Sequence, residues 1–166
     1  SSPFTGGAVL GDRIRMQEHV SDPGVYVRSM SSRGRLGGLS DGTAKVVTVL
    51  DGVGFDPVFV ETVGVGQSEV EVMDLADTVV VLVTPGMGDG VQAAKAGLLE
   101  VGHVFVVNKA DRPGAEEVTR DLRQMIELGP GGDWAPPIVS CVATTGEGID
   151  EVTAAIASHR LHLREA

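Results

Sequence analysis

The feature that most constrains this chain is a set of short apolar runs that do not alternate: Val58-Phe59-Val60, Val79-Val80-Val81-Leu82-Val83 and Val104-Phe105-Val106-Val107. Successive side chains of a strand point to opposite faces, so a strand with one face in water alternates apolar and polar residues. A run that is apolar at every position implies burial on both faces, as in a parallel sheet covered by helices. With two further runs the expected strands lie at residues 25–30, 57–62, 79–84, 104–109 and 137–142.

Helical spacing falls between them. Residues 40–53 place Ala44, Val47, Leu50 and Val53 on one side, and residues 90–101 do the same with Val91, Ala94, Leu98 and Val101. Residues 116–128 carry Val118, Leu122, Met125 and Ile126 on one stripe before the stop Gly129-Pro130, and residues 149–162 align Val152, Ile156 and His159. A further helix is expected over residues 9–18. Strand and helix alternate, which predicts an α/β fold: a doubly wound, mainly parallel sheet with helices on both faces, in a single domain across residues 1–166.

Composition removes several classes of partner. The net charge of −10 leaves no broad basic footprint, so no nucleic-acid partner is expected. No apolar run approaches the ~20 residues of a membrane span, and no secretory signal precedes the first expected helix. One cysteine, Cys141, excludes an internal disulfide and fits a reducing, cytoplasmic setting. Its place in an apolar run predicts a buried, inert thiol.

In doubly wound sheets ligands sit beyond the carboxyl ends of the strands. Asn108-Lys109-Ala110-Asp111 follows the fourth run directly. An aspartate held there can accept from both the ring N–H and the exocyclic amine of guanine, a pattern that adenine does not offer. The Lys109 stem can lie over the base, and Asn108 can tie neighbouring loops together. Buried polar bonds of this kind reject a wrong partner by leaving groups unpaired. The competing reading makes Asp111 a cap for the helix that begins near Ala115.

A second constellation, Glu61-Thr62-Val63-Gly64-Val65-Gly66-Gln67, follows the second run. Glu61 at a strand end would hold Mg²⁺ directly or through water, and the Gly64 N–H would approach a terminal phosphate. Gln67 would orient water, although its spacing departs from the usual Gly-Gln pair. The alternative is a glycine-rich turn with an exposed glutamate. His159 and His162, three residues apart without a third ligand nearby, predict a solvated helix end. Trp134 reads as a loop anchor.

The chain contains no GxxxxGK[ST] phosphate loop: its three lysines, Lys45, Lys95 and Lys109, follow Ala44, Ala94 and Asn108. It contains no GxGxxG either.

The order of motifs resembles the MeaB/ArgK family. The resemblance rests on Gly11-Asp12-Arg13-Ile14-Arg15-Met16, Arg28-Ser29-Met30, Arg33-Gly34-Arg35-Leu36-Gly37-Gly38, Glu61 through Glu69, Pro85-Gly86-Met87-Gly88-Asp89, Lys95-Ala96-Gly97, Val107 through Asp111 and Trp134-Ala135-Pro136-Pro137-Ile138. These are GTP-hydrolysing chaperones of adenosylcobalamin-dependent methylmalonyl-CoA mutase. The resemblance implies a P-loop NTPase G domain that uses GTP/GDP and Mg²⁺. It implies Mg²⁺ at Asp12 and Glu61, guanine at Asn108, Lys109 and Asp111, and backbone support for the base near Ala143. Switch segments would follow Asp22 and Glu61, and an additional switch across residues 85–95 would communicate with the mutase. The resemblance also implies a homodimeric full-length protein. Against its pattern, the phosphate-loop segment and the dimerisation arm are not among these residues, so a fragment with little activity of its own is expected. Two other readings remain: an ATP-using kinase of a basic-amino-acid transport system, and a non-catalytic interaction fragment.

Overall fold

The computed structural model describes residues 16, 19, 21–30, 42–62, 72, 74–86, 101–129 and 131–165. The expected helices at residues 9–18 and 90–101 fall almost wholly outside the described residues. The chain divides into two compact units, Ser1–Leu75 and Ala76–Ala166.

In the first unit, helix α1 spans Thr43–Gly52, inside the expected residues 40–53. It ends where Gly54 adopts a left-handed backbone (φ +90°), and the Phe55 N–H returns to the Leu50 carbonyl at 3.0 Å. The Phe55 ring meets that of Tyr26, centroids 6.2 Å apart. The strands expected at residues 25–30 and 57–62 do not form a hydrogen-bonded ladder among the described residues, and Phe59 is 81% exposed. β-branched and aromatic residues favour an extended backbone, but a strand also needs a neighbour for its N–H and C=O groups.

The second unit holds a three-stranded parallel sheet in the order β1 (Val80–Val83), β2 (Val104–Asn108), β3 (Ile138–Cys141). The register aligns Val80 with Val104 and Val83 with Val107, then Phe105 with Ile138 and Asn108 with Cys141. Helix α2 spans Ala115–Leu128 and α3 spans Ile149–Glu165.

Central β2 is buried on both faces, as its unbroken apolar run requires: Val104, Phe105, Val106 and Val107 are each 1% exposed or less. Val104, Val106 and Cys141 pack against Val152, Ala155 and Ile156 of α3. Phe105 and Val107 face the other way, with Ile138 and Ser140 of β3 beside them, and residues of α2 line shallow clefts against that pair. The helices therefore lie on opposite faces. Each fully buried side chain of β2 contributes roughly 2 kcal/mol of transfer free energy. Gly102 is needed next to this strand, since a Cβ there would overlap the Phe105 ring.

Edge strand β1 departs from the expected two-sided burial: Val81 and Val83 are buried, but Leu82 is 62% exposed. Leu82 pairs in register with Val106, on the α3 face, and α3 packs on β2 and β3. Val80 of the edge strand still packs on the Val104–Val106 cluster, but Leu82 lies beyond that cover.

Candidate functional site

The carboxyl ends of β2 and β3 lie side by side, and their outgoing loops are joined by one side chain. Asn108 Oδ1 accepts from the Lys109 N–H at 2.7 Å and the Ala143 N–H at 3.2 Å. The Cys141 thiol donates to the same oxygen at 3.7 Å. In parallel the Ala110 N–H donates to the Cys141 carbonyl at 3.1 Å. Asn108 thus performs the loop-tying role that its position suggested.

This arrangement turns the backbone sharply. Lys109 takes a left-handed conformation (φ +59°), unusual for a side chain with a Cβ, and the Arg112 N–H closes the turn on the Lys109 carbonyl at 3.0 Å. Such a local cost persists where surrounding bonds over-determine it, and here the Asn108 and Ala110 bonds do so. The turn leaves Lys109 and Asp111 exposed.

The capping role for Asp111 is not taken up. The cap of α2 is Gly114 at φ +90°, and no side chain caps that helix. Asp111 makes no hydrogen bond among the described residues, so its carboxylate is available to a ligand.

The facing loop is equally constrained. The Val142 N–H pairs with the Glu147 carbonyl at 2.9 Å, and the Thr145 and Gly146 N–H groups both reach the Val142 carbonyl at 3.0 Å. Gly148 (φ +77°) closes the loop against β3, where a Cβ would run into the Ser140 carbonyl and the Cys141 Cα. The sequence reading missed this glycine; a Gly-x-Gly pair at residues 146–148, between a strand and a helix, was the available signal. Cys141 is 3% exposed, as expected, and burial pushes its thiol above the ordinary cysteine range.

Of the other candidates, Asp12, Gly64 and Gln67 lie outside the described residues. Glu61 is exposed, in the first unit. Asn108, Lys109, Asp111 and Ala143 belong to the second unit, where Asn108 joins Lys109 to Ala143. Among the described residues no helix is long and apolar enough to cross a membrane, and no group of three or more histidine, cysteine, aspartate or glutamate side chains could hold a metal. Magnesium uses only one or two carboxylates beside phosphate oxygens, so it requires no such cluster.

The solvated helix end expected at His159 is a correction. His159 is 2% exposed, enclosed by Thr78, His103, Trp134 and His162 at the opposite end of the sheet. Trp134 does anchor its loop, donating from Nε1 to the His103 carbonyl at 2.8 Å.

A parallel sheet flanked by helices, with its polar loops at the strands' carboxyl ends, defines an α/β protein. The crystal structure of a LAO/AO transport system kinase is similar, with a TM-score of 0.60 and 33% identity over 74% of this chain and 40% of that one. The sequence profile of the family described as methylmalonyl Co-A mutase-associated GTPase MeaB matches residues 1–166, and the chain belongs to that family. A Pyrococcus horikoshii protein provisionally described as a GTPase is 53% identical over the whole of this chain and 54% of its own length. The Escherichia coli GTPase ArgK is 37% identical, over 94% of this chain and 49% of its own length. The mouse mitochondrial protein named methylmalonic aciduria type A homolog is also 37% identical, over 92% of this chain and 38% of its own length. The chain spans about half the length, or less, of the relatives named here.

Proposed function

We propose that this chain is the base-reading part of a G domain whose whole protein binds and hydrolyses GTP. That protein would serve as chaperone to an adenosylcobalamin-dependent acyl-CoA mutase of the methylmalonyl-CoA mutase type. Membership of a family described as mutase-associated GTPases supports both halves of the proposal. The observation that carries the base assignment is the Asn108 side chain bonded to both the Lys109 and Ala143 N–H groups. It sets the exposed Asp111 loop beside the Ala143 loop, where a planar base would meet a carboxylate edge. Guanine fits that edge with two donors, and adenine with its ring acceptor does not.

The remaining roles belong to the same proposal. Asp12 and Glu61 would ligate Mg²⁺, the Gly64 N–H would meet the γ-phosphate, and Glu61 with Gln67 would position the attacking water. A cytoplasmic location and a homodimeric whole protein complete it. The kinase description belongs to the structural neighbour, and the Asn-Lys-x-Asp loop favours guanine over an ATP-using role. Because these 166 residues hold no GxxxxGK[ST] loop, they alone should bind GTP weakly, since most contacts to the β- and γ-phosphates are lacking.

The test is nucleotide competition on a polypeptide that carries a GxxxxGK[ST] segment ahead of this chain. GTP should displace a fluorescent guanine nucleotide where ATP does not. Asp111→Ala should weaken guanine binding by on the order of 100-fold, the loss of two hydrogen bonds to a charged acceptor. Preference for ATP, or an unchanged affinity in Asp111→Ala, would overturn the base assignment. Unchanged mutase reactivation would remove the partner and leave the GTPase.

A further inference from the structure

The amino ends of the strands carry an assembly that nucleotide binding does not use. His159 of α3 places Nδ1 2.9 Å from the Thr78 hydroxyl, two residues before β1. His103, just before β2, stacks on His159 with centroids 4.2 Å apart and planes 20° from parallel. His103 Nδ1 accepts the Val79 N–H at 2.9 Å, so the neutral ring carries its proton on Nε2. Trp134 meets His159 edge-on at 4.8 Å and His162 at 5.2 Å, while its indole N–H holds the His103 carbonyl.

These contacts join the segment before β1, the segment before β2, the loop before β3 and the carboxyl-terminal half of α3. One of them, the Val79 N–H on His103 Nδ1, requires a neutral ring, and the close His103–His159 stack disfavours two charged ones. A proton on His103 Nδ1 turns that acceptor into a donor aimed at the Val79 N–H. Charging both stacked rings sets two like charges about 4 Å apart in a partly dry setting, a separation at which they repel strongly.

The groups that face His159 are the Thr78 hydroxyl from the β1 side, the His103 ring from the β2 side, the Trp134 indole from the β3 side, and His162 on α3 itself. Arg160, its exposed neighbour in α3, carries the same sign as a protonated ring. Asp77 and Asp133 adjoin Thr78 and Trp134 in the chain, are exposed, and no described hydrogen bond joins a carboxylate to any of these rings. Burial holds His159 below the ordinary histidine range, and positive charge on His103 and His162 lowers it further. Burial lowers His103 as well.

We propose that His103, His159 and Trp134 form a proton-operated latch, closed while the imidazoles are neutral and opened by their protonation, which frees the carboxyl-terminal half of α3 from the amino ends of β1 and β2. The direction follows from linkage. Both rings are lowered in the closed form, whereas a released imidazole titrates near 6.5. Below about pH 6.5 the open form binds more protons than the closed one. The closed latch is therefore at full stability above that pH and loses stability as pH falls toward the lowered values.

Two measurements on this chain test the latch: NMR titration of the imidazole C–H resonances, and amide hydrogen exchange at pH 7.5 and 5.5 corrected for intrinsic rates. The His103 and His159 rings should titrate below an unstructured histidine peptide. Opening of residues 155–162 should rise on the order of tenfold at the lower pH, with a smaller rise in the β2–β3 ladder. His159→Phe keeps an aromatic ring in the stack without its titrating proton and should reduce that response, leaving only the part that His103 carries. If this variant does not fold, the ring titration and the exchange profile of the unaltered chain decide. Rings that titrate as a free peptide does, exchange unaffected by pH, or an equal rise in His159→Phe would overturn the proposal.

Discussion

At the carboxyl ends of β2 and β3, the polar side chains of Lys109 and Asp111 face solvent while backbone bonds and Asn108 hold the loops beneath them. At the amino ends of β1 and β2 the reverse holds: the polar rings are turned inward, and His159 is more buried than Cys141. One end offers unsatisfied groups to something that arrives; the other satisfies its groups internally. The same sheet supports both because a parallel ladder exposes different backbone groups at its two ends and the connecting helices differ in what they cover. Polar residues alone do not mark a binding site. Their direction does.

Three substitutions sharpen this contrast, in descending order of effect. Gly148→Ala forces a Cβ into the Ser140 carbonyl at a left-handed backbone. It should cost roughly 3 kcal/mol or more in a urea melt and distort the carboxyl ends of β2 and β3 first, visible as lost protection at Ala143. Near-neutral stability would mean that the Ala143–Gly148 loop is not pinned to β3. Asn108→Ala removes the shared acceptor of three donors and should cost about 2 kcal/mol. The histidine resonances at the far end should stay unchanged; if they move, the two ends are not independent. Trp134→Phe retains the ring contacts but leaves the His103 carbonyl without its indole donor. A loss of about 1 kcal/mol is expected, with faster exchange near His103 and nucleotide preference intact.

Much of the carboxyl end of β2 and β3 is legible in the sequence because its parts are local. The apolar run of β2 fixes where the strand ends, and the Asn-Lys-x-Asp spacing then fixes which groups emerge. Helix α2 is legible for the same reason, through the stripe of Val118, Leu122, Met125 and Ile126, and begins within one residue of its expected start. The histidine end is not local. His159 meets Thr78 across 81 positions of sequence, and Trp134 reaches His103 across 31. A period of 3.6 places His159 on the side of Val152 and Ile156, but an amphipathic stripe does not say what a polar member of it meets. Residues 25–30 and 57–62 fail as strands for a related reason: β propensity is a property of the run, and pairing is a property of the neighbour.

Helix α3 has one consequence as a mechanical part. Its first turn leaves the loop that Gly148 pins to β3, and His159 lies ten residues further along, a distance of ~15 Å. A helix of that length behaves as a stiff rod resting on two supports. A tilt of roughly 5° about the His159 end swings the Ile149 end by about 1 Å, the scale on which placement of a bound group affects rates. Because each end has its own support, the Gly148 loop holds the Ile149 end in place when the His159 end is released, and the two ends stay independent.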